Sequence, residues 1–176
     1  MKASDRRSHI LTLLEQASSP IKATDFADQF SVSRQVIVGD IALLRAQNIE
    51  IIATNQGYIL ATQASSKSQG RYRGKIACYH DAQQAGTELS IITELNGIVE
   101  DVEVEHPVYG ILKASLQIQS KQDVHQFLQQ MAEYEGEMLS SLTNGIHTHT
   151  ITTPSLKEFN AIKDALAKEN ILLLED

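Results

Sequence analysis

The chain has a single cysteine, Cys78, among 176 residues, so no internal disulfide can form and a reducing cytoplasm is the simplest expected home. It has no apolar run of about 18 residues, the length a membrane-spanning helix needs, so no bilayer span is expected. Met1 to Arg7 is polar and leads straight into a helix pattern, without the apolar segment of a secretory signal. Internal repeats are absent. So are a Gly-rich phosphate loop and the strand-turn-helix signature of a serine nucleophile. Those absences argue for a regulator over an enzyme.

Net positive charge is also lacking. The chain carries a formal −7, which argues mildly against nucleic-acid binding. The distribution reverses that argument. Residues 1–62 are neutral overall, 63–75 carry Lys67, Arg71, Arg73 and Lys75 with no acid, and the acidity falls in 76–176. A DNA reader at the N-terminus therefore remains possible, with an affinity that falls quickly as salt rises.

What is present at the N-terminus is helical spacing. Ser4 or Asp5 can cap a first helix carrying Ile10, Leu13, Leu14 and Ala17, closed by Ser18-Ser19-Pro20. Ala23 to Gln29 forms a short second helix. Ser33 is a good N-cap for a third, Arg34 to Gln47, with Ile37, Ile41 and Leu44 inward. Strands Glu50–Ala53 and Tyr58–Leu60 flank the turn Thr54-Asn55-Gln56-Gly57. Three helices and a hairpin make a winged helix-turn-helix over residues 1–62, and 63–71 reads as a linker. The third helix would enter the major groove by its N-terminus, so Ser33, Arg34 and Gln35 are the expected base readers. Arg6, Arg7, Lys22, Arg45 and the wing residues Asn55 and Gln56 are available to phosphates.

Residues 72–176 alternate strands and helices. They run as strand 72–80, helix 82–95 opened by Asp81 and Gln84 as a capping box, strands 98–106 and 111–118, helix 121–142, strand 146–152, helix 155–168 and strand 171–174. The fold class expected is α+β, a winged helix followed by an α/β sandwich with a ferredoxin-like β-α-β-β-α-β core.

Chemistry concentrates in this second part. His147 and His149 are two apart on a strand and share a face, so both imidazoles can reach one ion. Glu88 lies on the buried stripe Ala85, Glu88, Ile92, Leu95, where a lone carboxylate is costly to desolvate and demands a partner. His80 ends the strand before that helix, on the face of Ile76 and Cys78. The set His80, Glu88, His147 and His149 suits Zn, Ni, Fe or Co in the divalent state, with room for a ligand in an open position. A plain hydrogen-bonded His80–Glu88 pair is the alternative. Cys78 reads mainly as a small buried apolar residue, near enough to His80 to be a lesser ligand candidate. His106 and Tyr109, in the turn His106-Pro107-Val108-Tyr109-Gly110, are the candidates for contact with a bound small molecule.

The two halves together resemble the nicotinic-acid-responsive repressors of the NiaR type. The residues that carry the resemblance are Val32 to Val38, Asp40 to Arg45, Gly57 to Leu60, His80, Glu88, Asp101 to Gly110, and Gly145 to Thr150. It implies a homodimer that represses genes of niacin uptake or NAD synthesis from an operator, with nicotinic acid as co-repressor. It also implies metal ligands at His80, Glu88, His147 and His149, the four reached from the residues alone. On this reading 72–176 is a three-histidine domain that senses metal and ligand. Gly39 departs from the pattern, because a larger polar residue is expected inside the recognition helix. The glycine costs that helix about 1 kcal/mol relative to alanine and removes a possible DNA contact. A factor that senses the metal itself, and a metal-dependent enzyme fused to a winged helix, are the competing readings.

Overall fold

The computed structural model describes residues 2–65, 70–134 and 136–174. Contacts divide the chain into two compact units, Met1–Lys67 and Ser68–Asp176.

In the first unit, α1 (Ala3–Gln16), α2 (Ala23–Phe30) and α3 (Arg34–Ala46) pack around Ile10, Leu14, Phe26, Ile37, Ile41 and Leu44. The N-cap of α1 is Lys2, two or three residues earlier than the cap expected at Ser4 or Asp5. Asp5 sits in the first turn, where its charge favours the helix dipole. Ser33 caps α3 by accepting from the Val36 amide. Strands β1 (Ile51–Thr54) and β2 (Gly57–Leu60) pair antiparallel, and Ile21 exchanges two backbone hydrogen bonds with Tyr58 to complete the wing. Gly57 is required there: its φ is +133°, and a Cβ would lie 2.3 Å from the Ile21 carbonyl oxygen. Residues Ala61–Ser65, which straddle the expected end of the winged helix and start of the linker, form a short helix, α4. The remainder of that linker falls partly outside the described residues.

Asp40 of α3 is buried and accepts from Arg6 Nε at 2.6 Å, with Arg7 Nη1 at 3.5 Å. These arginines, read as phosphate contacts, instead tie α1 to α3. On the exposed side of α3, a Cβ added at Gly39 would meet nothing within 4 Å. Nothing within the protein therefore uses the missing side chain. Gly39→Ala is expected to raise the unfolding free energy by about 0.5–1 kcal/mol, read from urea unfolding; a loss of stability would contradict this account of α3.

The second unit is a four-stranded antiparallel sheet in the order β3-β6-β4-β5. Its elements are β3 (Tyr72–Tyr79), a 3₁₀ turn (Ala82–Gln84), α5 (Ala85–Glu94), β4 (Ile98–His106), β5 (Gly110–Ile118), α6 (Lys121–Glu133), a second 3₁₀ turn (Leu139–Thr143), β6 (Ile146–Thr153) and α7 (Leu156–Lys168). β6, the last strand of the chain, lies between β3 and β4, so the crossover through α5 is split by it. The element order β-α-β-β-α-β is the one expected, but the strand order departs from a ferredoxin-like sheet: the second and fourth strands, β4 and β6, are interior, where a ferredoxin-like sheet has its first and third. The core holds Ile76, Leu89, Ile92, Val99, Ile151 and Ile162. In place of the expected last strand, residues 171–173 make only a bridge along the β3 edge, where Tyr79 N donates to Ile171 O and Leu173 N to Ala77 O.

The helix expected over 121–142 stops at Glu133. Beyond it Tyr134 is exposed and the Gly136 amide turns back to the Met131 carbonyl at 2.8 Å. Glycine is a poor helix former, and its cost ends the helix although Met138 continues the apolar spacing beyond it. The chain that is freed returns toward the sheet and brings Met138, Leu139 and Ser140 beside the histidines. Among the described residues, no helix is long and apolar enough to cross a membrane.

Candidate metal centre and ligand cavity

Three elements bring four residues into one buried cluster. His80 follows β3, Glu88 sits in the first turn of α5, and His147 and His149 project from β6 on its helix-covered face. All four are nearly inaccessible to solvent. The strand pairing sets the spacing, because Cys78 lies opposite His147 and Ile76 opposite His149. Asp81 accepts from the Gln83 and Gln84 amides, which fixes where the 3₁₀ turn starts and delivers Glu88 over the sheet. Gly145, at the entry to β6, has φ +97°, and a Cβ there would lie 2.4 Å from the His80 carbonyl oxygen. Glycine thus lets β6 approach the His80 backbone.

Each imidazole is oriented by a main-chain carbonyl. His80 Nδ1 is 2.6 Å from Asp81 O, His147 Nδ1 is 2.9 Å from Gly145 O, and His149 Nδ1 is 2.6 Å from Asp101 O. A carbonyl only accepts, so each Nδ1 carries its proton and donates. Every Nε2 is thereby turned inward. The three meet the Glu88 carboxylate at 2.6 Å from His80, 3.2 Å from His147 and 3.3 Å from His149. Nδ1 bonded to a carbonyl and Nε2 presented as a lone pair is the arrangement of metal-ligating histidines. The residues present therefore fit a divalent transition metal. Donor atoms of Cys78, Glu88 and His147 also lie within 4.8 Å of one another, and His80 and His149 reach the same Glu88 carboxylate.

The electrostatics agree with this geometry. Burial alone would push the Glu88 carboxyl up, but the charge of His149 and hydrogen bonds from all three imidazoles hold it well below its usual range. Burial works against protonation of His80 and His149, yet the bond to and charge of Glu88 outweigh it and raise both. Burial, with Glu88 close by, pushes the Cys78 thiol up.

A pH dependence follows for metal-free protein. The raised His80 and His149 stabilise the fold fully below the ordinary imidazole value of 6.5, and that contribution is lost as pH rises through their folded values. The lowered Glu88 contributes fully above 4.5, and its part is lost as pH falls through its folded value. The chelator-treated chain should therefore melt highest between these limits and lower toward pH 8. A bound metal reverses the upper limb, because it takes deprotonated imidazoles. A melting temperature that rises from pH 6 to 8 without metal would contradict the assignment.

Beside the cluster lies a cavity of about 250 Å³. Val102, Leu116, Phe127, Met131, Met138 and Leu139 form much of its wall, and His80, Glu88, His147 and His149 form its polar end. No Lys or Arg is among the described residues that line it. Helical spacing puts Phe127, Met131 and Met138 on the apolar side of the helix expected over 121–142. The usable signal was Gly136, which turns Met138 back over the sheet.

His106 and Tyr109, the expected contacts for a bound small molecule, are not among the residues that line this cavity. They sit at the tip of the β4–β5 hairpin, where Tyr109 is 74% exposed. The Val108 and Tyr109 amides donate to His106 Nδ1, each at 3.2 Å, so the ring closes the turn. Of the DNA candidates, Ser33, Arg34 and Gln35 are exposed at the start of α3, and Lys22 is exposed at the start of α2. Arg45 serves the fold: its Nε donates to Ile51 O at 2.8 Å and its guanidinium lies over the Tyr58 ring.

Comparison with known proteins places these two units in context. Residues 73–175 match the 3H domain, and residues 6–59 match a helix-turn-helix domain. A transcription repressor NadR of Bacillus subtilis is 38% identical over 173 residues, covering 98% of this chain and 96% of that protein. A probable transcription repressor NiaR of Thermotoga maritima is 35% identical over 171 residues, covering 97% and 95% respectively.

Proposed function

The chain belongs to the NiaR-type family of helix-turn-helix, 3H-domain repressors, and from that premise we propose that it is a homodimeric, operator-binding repressor of niacin uptake or NAD biosynthesis genes, with nicotinic acid as co-repressor. His80, Glu88, His147 and His149 hold the metal. Residues 1–62 read DNA, and the second unit senses the ligand.

The observation that carries the sensor reading is the common orientation of the imidazoles. A structural pair would need only one histidine against Glu88. Here three backbone carbonyls each fix a ring so that Nε2 faces one point. The cavity supports the ligand class. At about 250 Å³ it is smaller than sites for drug-sized molecules and suits one ring. Its walls are mostly apolar, with Glu137 and Ser140 among them, and no Lys or Arg is among the described residues that line it, so the ligand's carboxylate or ring nitrogen would rely on the metal. The metal, when bound, supplies positive charge and an open coordination position; the apolar wall excludes water and orients the ring.

Co-repression requires that nicotinate bind the DNA-competent state more tightly than the other. Fluorescence anisotropy of the metal-loaded chain on an operator duplex should show tighter binding with nicotinate, by about 5- to 150-fold for a typical coupling. Unchanged affinity would remove the co-repressor role. Tighter binding on adding metal with no organic ligand would favour a direct metal sensor.

A further inference from the structure

We propose that Cys78 supplies a thiolate ligand to the metal held by His80, Glu88, His147 and His149, making the centre a mixed nitrogen, oxygen and sulfur site. The inference rests on the metal reading above and deepens it.

The placement is specific. Cys78 lies two residues before His80 on the same face of β3, and it pairs in register with His147 across β6. It has no solvent exposure. Its sulfur forms with donor atoms of Glu88 and His147 a group of potential ligand atoms all within 4.8 Å of one another. With metal–ligand bonds of about 2.0–2.3 Å, ligands around one ion stand roughly 3–4 Å apart when adjacent and roughly 4–4.6 Å when opposite. The observed spacing is thus within a small adjustment of coordination. A buried cysteine can serve merely as a small apolar residue. Here, however, Cys78 faces the polar donor cluster as well as the apolar core.

Coordination breaks the S–H bond and forms a sulfur–metal bond, and the proton leaves to water. The thiolate would bring the site a soft donor, favouring Zn, Co or Cd over Mg or Mn. Selectivity for the metal would then rest on Cys78, and retention of the metal on the histidines and Glu88.

Cobalt absorption of the untagged full chain tests this directly, with Co²⁺ alone as the probe. Because Cys78 is the chain's one cysteine, any thiolate-to-cobalt charge-transfer band in the near ultraviolet must come from it. The wild-type chain should show that band together with visible bands of the bound ion. Cys78→Ser and Cys78→Ala should both lose the charge-transfer band, keep the visible bands, and bind Co²⁺ roughly 10- to 100-fold more weakly. Cobalt bound by the wild-type chain with visible bands but no charge-transfer band would overturn the role of Cys78 and leave the four-ligand centre standing. A band that persists in Cys78→Ser would overturn it equally. A chain that takes up no cobalt would overturn the centre and this inference together.

Discussion

Glu88→Ala is expected to abolish metal binding at micromolar concentrations and to weaken the second unit, while operator binding persists at its basal level. The residue is buried and all three imidazoles converge on it. Losing an outer-shell partner of a metal site typically costs roughly 10- to 100-fold in affinity, and losing a ligand should cost more. The same change leaves His80 and His149 buried without the charge that raises them. Breaking one side of a buried ion pair costs about 3–5 kcal/mol. That cost should be largest near pH 6 and shrink as the imidazoles become neutral. Glu88→Gln keeps the volume and an acceptor, so it should spare more of the fold while still losing the metal. Isothermal titration with Zn²⁺, paired with melting curves at pH 6 and 8, separates the two effects. Wild-type metal affinity in Glu88→Gln would remove Glu88 from the ligand set.

Arg34→Ala should produce the complementary defect. Arg34 is exposed in the first turn of α3, beside Gln35, where a helix-turn-helix presents its base readers. A bidentate arginine–guanine contact discriminates by about 1–3 kcal/mol, or about 5- to 150-fold in affinity. Operator binding should fall by that amount, with metal content and melting unchanged. Arg45→Ala offers a contrast, since it removes the bond to Ile51 O and the packing on Tyr58. Its loss should lower the stability of the first unit. If Arg34→Ala bound operator as well as wild type, α3 would not be reading bases through its N-terminus.

The sequence made some of this legible, for identifiable reasons. Strand alternation put His147 and His149 on one face, and helical periodicity put Glu88 on a buried one, so their convergence needed only that α5 cover β6. The carbonyls of Asp81, Gly145 and Asp101 that orient the imidazoles left no mark in the side-chain pattern, because any residue can supply one. The end of α6 was misread because Met138 continued an apolar spacing across Gly136, whose cost to the helix decided the outcome. Alternation along β4 puts His106 on the face of Val102 and Val104. Alternation, however, says nothing about where a strand leaves the helix layer, and β4 and β5 pair on to His106 and Gly110 at an exposed tip. Arg6 and Arg7 looked like surface cations until the fold brought buried Asp40 against them.

Nicotinate binding to the metal-loaded and the chelator-stripped chain, measured side by side by calorimetry, bears most directly on the idea that the histidine cluster and the adjoining cavity form one sensor. The loaded chain should bind nicotinate, and the stripped chain should bind it at least about tenfold more weakly, a difference of about 1.4 kcal/mol. Equal affinity in both would mean that the ligand does not use the metal, and the site proposed for it would be wrong.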